Sequence, residues 1–319
     1  MKKTGITVFL VVLTVIIGGV MGIEFLSERP GRQPANPFAL QMDSLIAVNP
    51  DLILYKEVRN LKLDMEDPLG ISRVGNMLAV TGAQRLIVLD LAGKLLKNIA
   101  LDADPFCVKA TADRFYIGTY KKVVVLDQEG KMVSTWNNLY ENSIVTSIDV
   151  YGDKVFVADA GKRLVYRFDT SGIKELEFDG KTGVEGSHGF IVPSPNFDLA
   201  IDQTGDFWVV NPGKHELENF SFEGRLRGWW GGPTAGIKGF SGCCNPAHFT
   251  FLPDGNFVTS EKGVVRIKVY KPSGELFGVV ASSAAFAGEQ HAPDLATDEQ
   301  GRIYALDMEK RMIRVFEKK

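Results

Sequence analysis

Cysteine is scarce in this chain. Three cysteines in 319 residues exclude a disulfide-built scaffold, and the odd number leaves at least one thiol unpaired. Only four histidines are present, so any metal centre has few imidazoles to draw on. Neither sign of charge dominates: 36 Lys+Arg face 39 Asp+Glu, a formal net charge of −3. That balance excludes a basic nucleic-acid footprint and an acidic disordered tail. No glycine-rich phosphate loop follows a strand and opens a helix, so nucleotide binding is unsupported. Ser241 and Ser260 lack the surroundings of a Ser-His-Asp triad or a nucleophile elbow. What remains is 45% hydrophobic and 24% charged, the composition of a globular protein with a large core.

Long apolar runs are missing too, except at one place. Lys2 and Lys3 precede an uncharged run from Gly5 to Ile23, and Phe25 and Leu26 extend it beyond Glu24. At 1.5 Å per residue, about 20 residues cross a hydrocarbon core of roughly 30 Å. Two lysines before the run, with only Glu24 close after it, keep the N-terminus on the cytoplasmic side. The run exceeds the 7–15 residues or so of a signal-peptide core, which favours an uncleaved membrane anchor over residues 1–26. The alternative is a cleaved signal peptide, with Val20-Met21-Gly22 as its processing site. Either reading puts the rest of the chain outside the cytoplasm, periplasmic or on the cell surface. Residues 27–49, with Pro30, Pro34 and Pro37, read as a tether, and a short helix is expected over 39–48.

From residue 50 onward one pattern recurs six times. A short apolar strand runs into a polar turn: Val74-Gly75-Asn76, Ala112-Asp113-Arg114, Tyr151-Gly152-Asp153, Thr204-Gly205-Asp206, Asp254-Gly255-Asn256 and Gln300-Gly301-Arg302. A second strand follows each turn, then a third, and five third strands end in a turn closed by Gly93, Gly130, Gly172, Gly224 or Gly274. Four short strands at a period of roughly 45 residues are the signature of a β-propeller. The sixth unit stops after its third strand. Residues 52–65 form an orphan strand ahead of the first repeat, placed to complete that blade and remove an open edge. The expected fold is all-β, a six-bladed propeller over 50–319.

The segment Val157–Gly172 (VADAGKRLVYRFDTSG) resembles an NHL repeat, and the other units are looser versions of it. Residues 239–270 are also similar to a stretch of uncharacterised, exported bacterial NHL proteins. The resemblance implies a six-bladed propeller; NHL-type propellers include lyases, sensor domains and scaffolds for protein or RNA.

One face of such a propeller is expected to differ from the other. The connections between blades are short at 64–68 and 102–105, and long at 179–196, 230–246 and 281–292. Long loops on a rigid scaffold are where binding chemistry sits. His188 and His291 fall in these loops, His215 in a second-to-third-strand loop on the same face, and Cys243 and Cys244 just before His248. Aligning the inner strands by their turns puts Pro68, Phe106, Val145, Asp198, His248 and Asp294 at one level near the channel mouth. Three consecutive blades would then offer Asp, His and Asp toward the axis. They are candidates for holding zinc, copper or calcium with help from His291; a hydrated polar plug is the alternative.

Cys243-Cys244 has three readings: a vicinal disulfide, one thiolate joining His248 on a metal, or two packed free thiols. Cys107 reads as a small core residue. Trp229-Trp230 is a candidate aromatic platform; the alternative is one ring packed between blades and the other over the loop.

Two functions are carried forward. In the first, the protein is a membrane-tethered binding module that recognises an envelope protein, a peptide or a glycan, and no nucleic acid. Its contact residues would be His188, Trp229, Trp230, Cys243, Cys244, His248 and His291. In the second it is a metal-dependent lyase, hydrolase or redox protein, with the ion at His248, Asp198, Asp294 and His291.

Overall fold

Short runs of β-branched and aromatic residues alternate with tight turns, and turns that short leave the adjacent run as the nearest antiparallel partner. The result is six antiparallel four-stranded sheets. They are seen in a computed structural model that describes residues 2–27, 47–183, 188–234 and 236–319. Each sheet is one blade of a six-bladed β-propeller. Blade 3 illustrates the pattern, with Val145–Tyr151 innermost, then Lys154–Asp159, Leu164–Asp169 and Lys174–Phe178. Its last turn is built by Asp169, whose Oδ1 accepts the backbone N–H groups of Ser171 and Ile173, both at 2.9 Å. Gly172 sits in that turn at φ +91°, where an added Cβ would lie 2.3 Å from the Trp136 indole nitrogen of blade 2. Glycine is required there twice over, by conformation and by space.

Blade 6 is made from both ends of the domain. Asp294–Thr297, Ile303–Asp307 and Met312–Lys318 supply three strands, and Tyr55–Lys62 pairs along the last of them from Tyr55↔Lys318 to Lys62↔Met312. The core is spread between blades. Ile71 and Val80 of blade 1 pack with Tyr304 and Leu306 of blade 6, and Tyr116 of blade 2 packs with Val157 of blade 3. Each such fully buried aliphatic side chain contributes about 1.5–3 kcal/mol. In this topology the inner strands all begin on the face that carries the inter-blade connections. The glycine-closed turns occupy the other face.

The N-terminal unit, taken by itself, is a helix from Lys2 to Ser27. The expected membrane span is not borne out: among the described residues no helix is long and apolar enough to cross a membrane. Pro30, Pro34 and Pro37 of the tether lie outside the described residues, as does nearly all of the helix expected over 39–48. Its last two residues, Ala47 and Val48, are not helical.

Candidate functional site

The six inner strands converge on the propeller axis, and side chains at alternate positions along them reach the channel. Register with the second strands defines the levels. Asp294 lies opposite Leu306, His248 opposite Ser260, and Val210 donates its N–H to the Asp198 carbonyl at 2.9 Å. The equivalent partners in blades 1 to 3 are Gly70 (opposite Thr81), Cys107 (opposite Gly118) and Ser147 (opposite Ala158). The residues expected at those places, Pro68, Phe106 and Val145, lie one or two positions too early, because the hairpins of blades 1 to 3 close over two residues (Val74↔Met77, Thr111 to Arg114, Tyr151↔Lys154) where those of blades 4 to 6 close over three (Asp202 to Asp206, Leu252 to Asn256, Asp298 to Arg302). The ring at the mouth is therefore Gly70, Cys107, Ser147, Asp198, His248 and Asp294. Cys107 belongs to it as well as to the blade 2–blade 3 core: it lines the channel, and its Sγ donates to the Val145 carbonyl, 3.6 Å away. Gly118 makes that fit possible; a Cβ there would stand 2.5 Å from Sγ.

Asp198, His248 and Asp294 come together as the sequence arrangement led us to expect. Nδ1 of His248 lies 3.8 Å from Oδ2 of Asp198 and 3.6 Å from Oδ1 of Asp294. All three ligand atoms fall within 4.8 Å of one another. Both carboxylates are locked in place by backbone amides. Asp198 accepts from Leu199 and from Phe249 of the next blade, both at 2.9 Å; Asp294 accepts from Leu295 and from Ile71 of blade 1, both at 2.8 Å.

Burial in this narrow channel pushes the Asp198 carboxyl up to about 6, with His248 opposing and Asp294 adding to the rise. Burial does the same to Asp294, also to about 6. It lowers the His248 imidazole, and the nearby Asp198 partly restores it. Two acids that resist ionising beside a histidine that resists protonation are short of positive charge. A divalent cation would supply it, favouring both carboxylates and the neutral imidazole. The spacing suits one. Ligands at about 2.1 Å in a tetrahedron stand roughly 3.4 Å apart, close to the 3.6 and 3.8 Å found here. The fourth position would open on the channel.

That channel encloses about 190 Å³, lined by Cys107, Ser147, Asp198, His248 and Asp294 at the mouth and by Lys109, Asp149 and Thr250 one level deeper. Lys109 Nζ and Asp149 Oδ1 are paired at 2.5 Å, and Asp149 Oδ2 accepts the Ile201 N–H at 2.8 Å. A second space of about 360 Å³ continues past this pair toward the opposite face. Sequence reasoning missed Cys107, Ser147, Lys109 and Asp149. The available signal was the two-residue alternation along each inner strand, counted back from the last paired residue before each turn.

The remaining candidates lie elsewhere. His291 is 72% exposed and pairs with Glu309 at 2.8 Å, so it is outside the Asp198–His248–Asp294 group. The Gln290 amide and the His291 ring together hold Glu309 down at about 2. His188 is exposed on its own loop. His215 Nδ1 lies 3.0 Å from the Asn245 carbonyl. Trp229 and Trp230 do not form one platform, because neighbouring strand residues face opposite sides. Trp229 is 63% exposed, while Trp230 is buried against Phe240, Phe257 and Tyr270. Cys243 and Cys244 are free thiols with their sulfurs 2.7 Å apart.

No family model and no curated protein matches the sequence. Solved structures do match. The chain is similar to a streptogramin B lyase at a TM-score of 0.58 and 13% identity, over 83% of this chain and 98% of that one. It is similar to the WD40 β-propeller domain of Doa1 at 0.56 and 13%, over 79% of each chain. A protein of unknown function from Bacteroides thetaiotaomicron scores 0.59 at 15% identity, over 82% of this chain and 71% of that one. At these identities the likeness shows the propeller fold and no more.

Proposed function

We propose that this protein is an exported propeller that works as a binding module, with the channel mouth as its recognition element. Asp198, His248 and Asp294 would hold one divalent cation, zinc first among candidates, and the open fourth position would take an oxygen or nitrogen of a peptide, glycan or envelope protein seated on the long-loop face. One observation carries the reading: three ligand-type atoms from three successive blades lie within 4.8 Å of one another. Export rests on Lys2 and Lys3 followed by the uncharged run from Gly5 to Ile23.

Elemental analysis of the purified chain, beside its His248→Ala variant, tests the site. The expected result is one equivalent of metal, falling at least tenfold in the variant. No stoichiometric metal in either protein after supplementation would overturn it. Cell fractionation with N-terminal sequencing tests export: an intact N-terminus in the membrane, or a cleaved one outside the cytoplasm, supports it. An intact chain in the cytosol sinks it.

A second reading is a metal-dependent lyase or hydrolase. It rests on two carboxyls pushed up to about 6 at a position open to the channel, where a general base working near neutral pH would stand. A bound cation there would polarise a carbonyl or activate water. Turnover that disappears in both His248→Ala and Asp294→Asn would favour this reading over display.

A further inference from the structure

Four residues ahead of His248, and independent of the channel, the loop between blades 4 and 5 brings two thiols into contact. Adjacent side chains in an extended segment diverge. Cys243 and Cys244 do not, because Cys244 adopts φ +66° and Gly242 before them φ +75°. The two left-handed residues fold the pair onto one side, with the sulfurs 2.7 Å apart. The turn is braced from behind by Asn245. Its Nδ2 donates to the Ser241 and Lys262 carbonyls at 2.6 and 3.1 Å, and its Oδ1 accepts the Lys262 N–H at 2.8 Å. The two thiols are unequal: Cys243 is exposed and Cys244 buried. That is the arrangement of an attacking thiol backed by a resolving one.

We propose that Cys243 and Cys244 form a redox-active vicinal dithiol that reacts with small or protein disulfides outside the cytoplasm. The exposed Cys243 thiolate attacks one sulfur of R–S–S–R, forming a mixed disulfide and releasing one thiol. Cys244 then gives up its proton, attacks the Cys243 sulfur and expels the second thiol. Two electrons and two protons pass from the protein to R–S–S–R, which leaves as two RSH. Neighbouring Cα atoms are about 3.8 Å apart, below the usual 4.4–6.8 Å or so of a disulfide. The oxidised pair is therefore easily reduced again and suits cycling better than stapling. Cys107 takes no part; it is buried, and burial pushes its thiol well above the ordinary range.

Glutathione disulfide is the probe, applied to the full chain, with intact-mass measurement and alkylation of remaining thiols after unfolding. The wild-type chain is expected to lose two of its three thiols, to become lighter by two hydrogens, to carry no lasting adduct and to regain all three thiols in dithiothreitol. Cys244→Ser is expected to hold one glutathione on Cys243. The proposal is overturned if the wild-type chain keeps glutathione on Cys243 with Cys244 still alkylatable. It is equally overturned if the wild-type chain keeps all three thiols, whatever the variant does.

Discussion

Asp294 Oδ2 accepts the backbone N–H of Ile71 at 2.8 Å, so a carboxylate of the last blade fastens the first, while its other oxygen lies 3.6 Å from the His248 ring. One side chain thus serves the ring and the candidate cation site together. Substitutions can separate the two roles. Asp294→Asn keeps an acceptor for Ile71 but removes the charge: zinc affinity by calorimetry is expected to fall at least tenfold, with stability changed by less than about 1 kcal/mol. Asp294→Ala also strands buried amides and should cost about 1–3 kcal/mol in a denaturant melt.

The metal-free protein should be less stable at neutral pH than in mild acid, as far as this site decides. Asp198 and Asp294 titrate near 6 in the fold and near 3.9 in the unfolded chain. The folded state therefore holds protons that the unfolded state releases between about pH 4 and 6. Stability present below that window is lost as pH rises through it, at most about 1.4 kcal/mol per pH unit for each proton. His248 acts in the other sense, since its lowered pKa costs stability as pH falls below its unfolded value. Thermal melts from pH 4 to 7 check the balance. The decline should flatten in an Asp198→Asn, Asp294→Asn double variant and when zinc is added.

Glu261 is buried with Arg266 and Lys268, at 2.8 Å from each. Lys268, pushed down to about 8 by burial, also donates to the Gly239 and Ile237 carbonyls beneath the loop between blades 4 and 5. Removing the one anion leaves two buried cations. Glu261→Ala is expected to cost about 3–5 kcal/mol in chemical denaturation; a loss under 1 kcal/mol would mean that water already reaches the pair.

The tryptophan pair should split in a stability assay. Trp230 fills the blade 4–blade 5 seam beneath Gly274, where a Cβ would stand 2.7 Å away. Trp230→Ala should cost about 3–5 kcal/mol. Trp229→Ala should stay within about 0.5 kcal/mol, and any change it makes in partner capture would then be a surface effect.

Most of the architecture was legible because its signals are local. Asp169 and Gly172 announce their turn within four residues, and Leu61 and Leu63 alternate as a strand with one buried face. Asp198, His248 and Asp294 were legible as a set because blades 4 to 6 share one turn length, with three residues between Asp202 and Asp206, Leu252 and Asn256, and Asp298 and Arg302. The other half of the ring was not. The hairpins of blades 1 to 3 close over two residues rather than three, which turn sequences alone do not show, so Gly70, Cys107 and Ser147 stood one or two positions from the places expected, and Cys107 looked like core alone. The approach of Cys243 to Cys244 was equally hidden, since it depends on the sign of one backbone angle at a non-glycine residue.

The seam in blade 6 also sets an order in time. Arg314 Nη2 reaches Glu57 Oε2 at 2.6 Å across 257 positions of sequence. During synthesis the strand at Tyr55–Lys62 must wait, unpaired, until Met312–Lys318 has been made. Five blades can assemble behind the ribosome, but the circle is completed only once Met312–Lys318 has emerged. A chain that ends early, by truncation or by proteolysis ahead of Met312, is left with two frayed rims and a ready template for pairing with another copy.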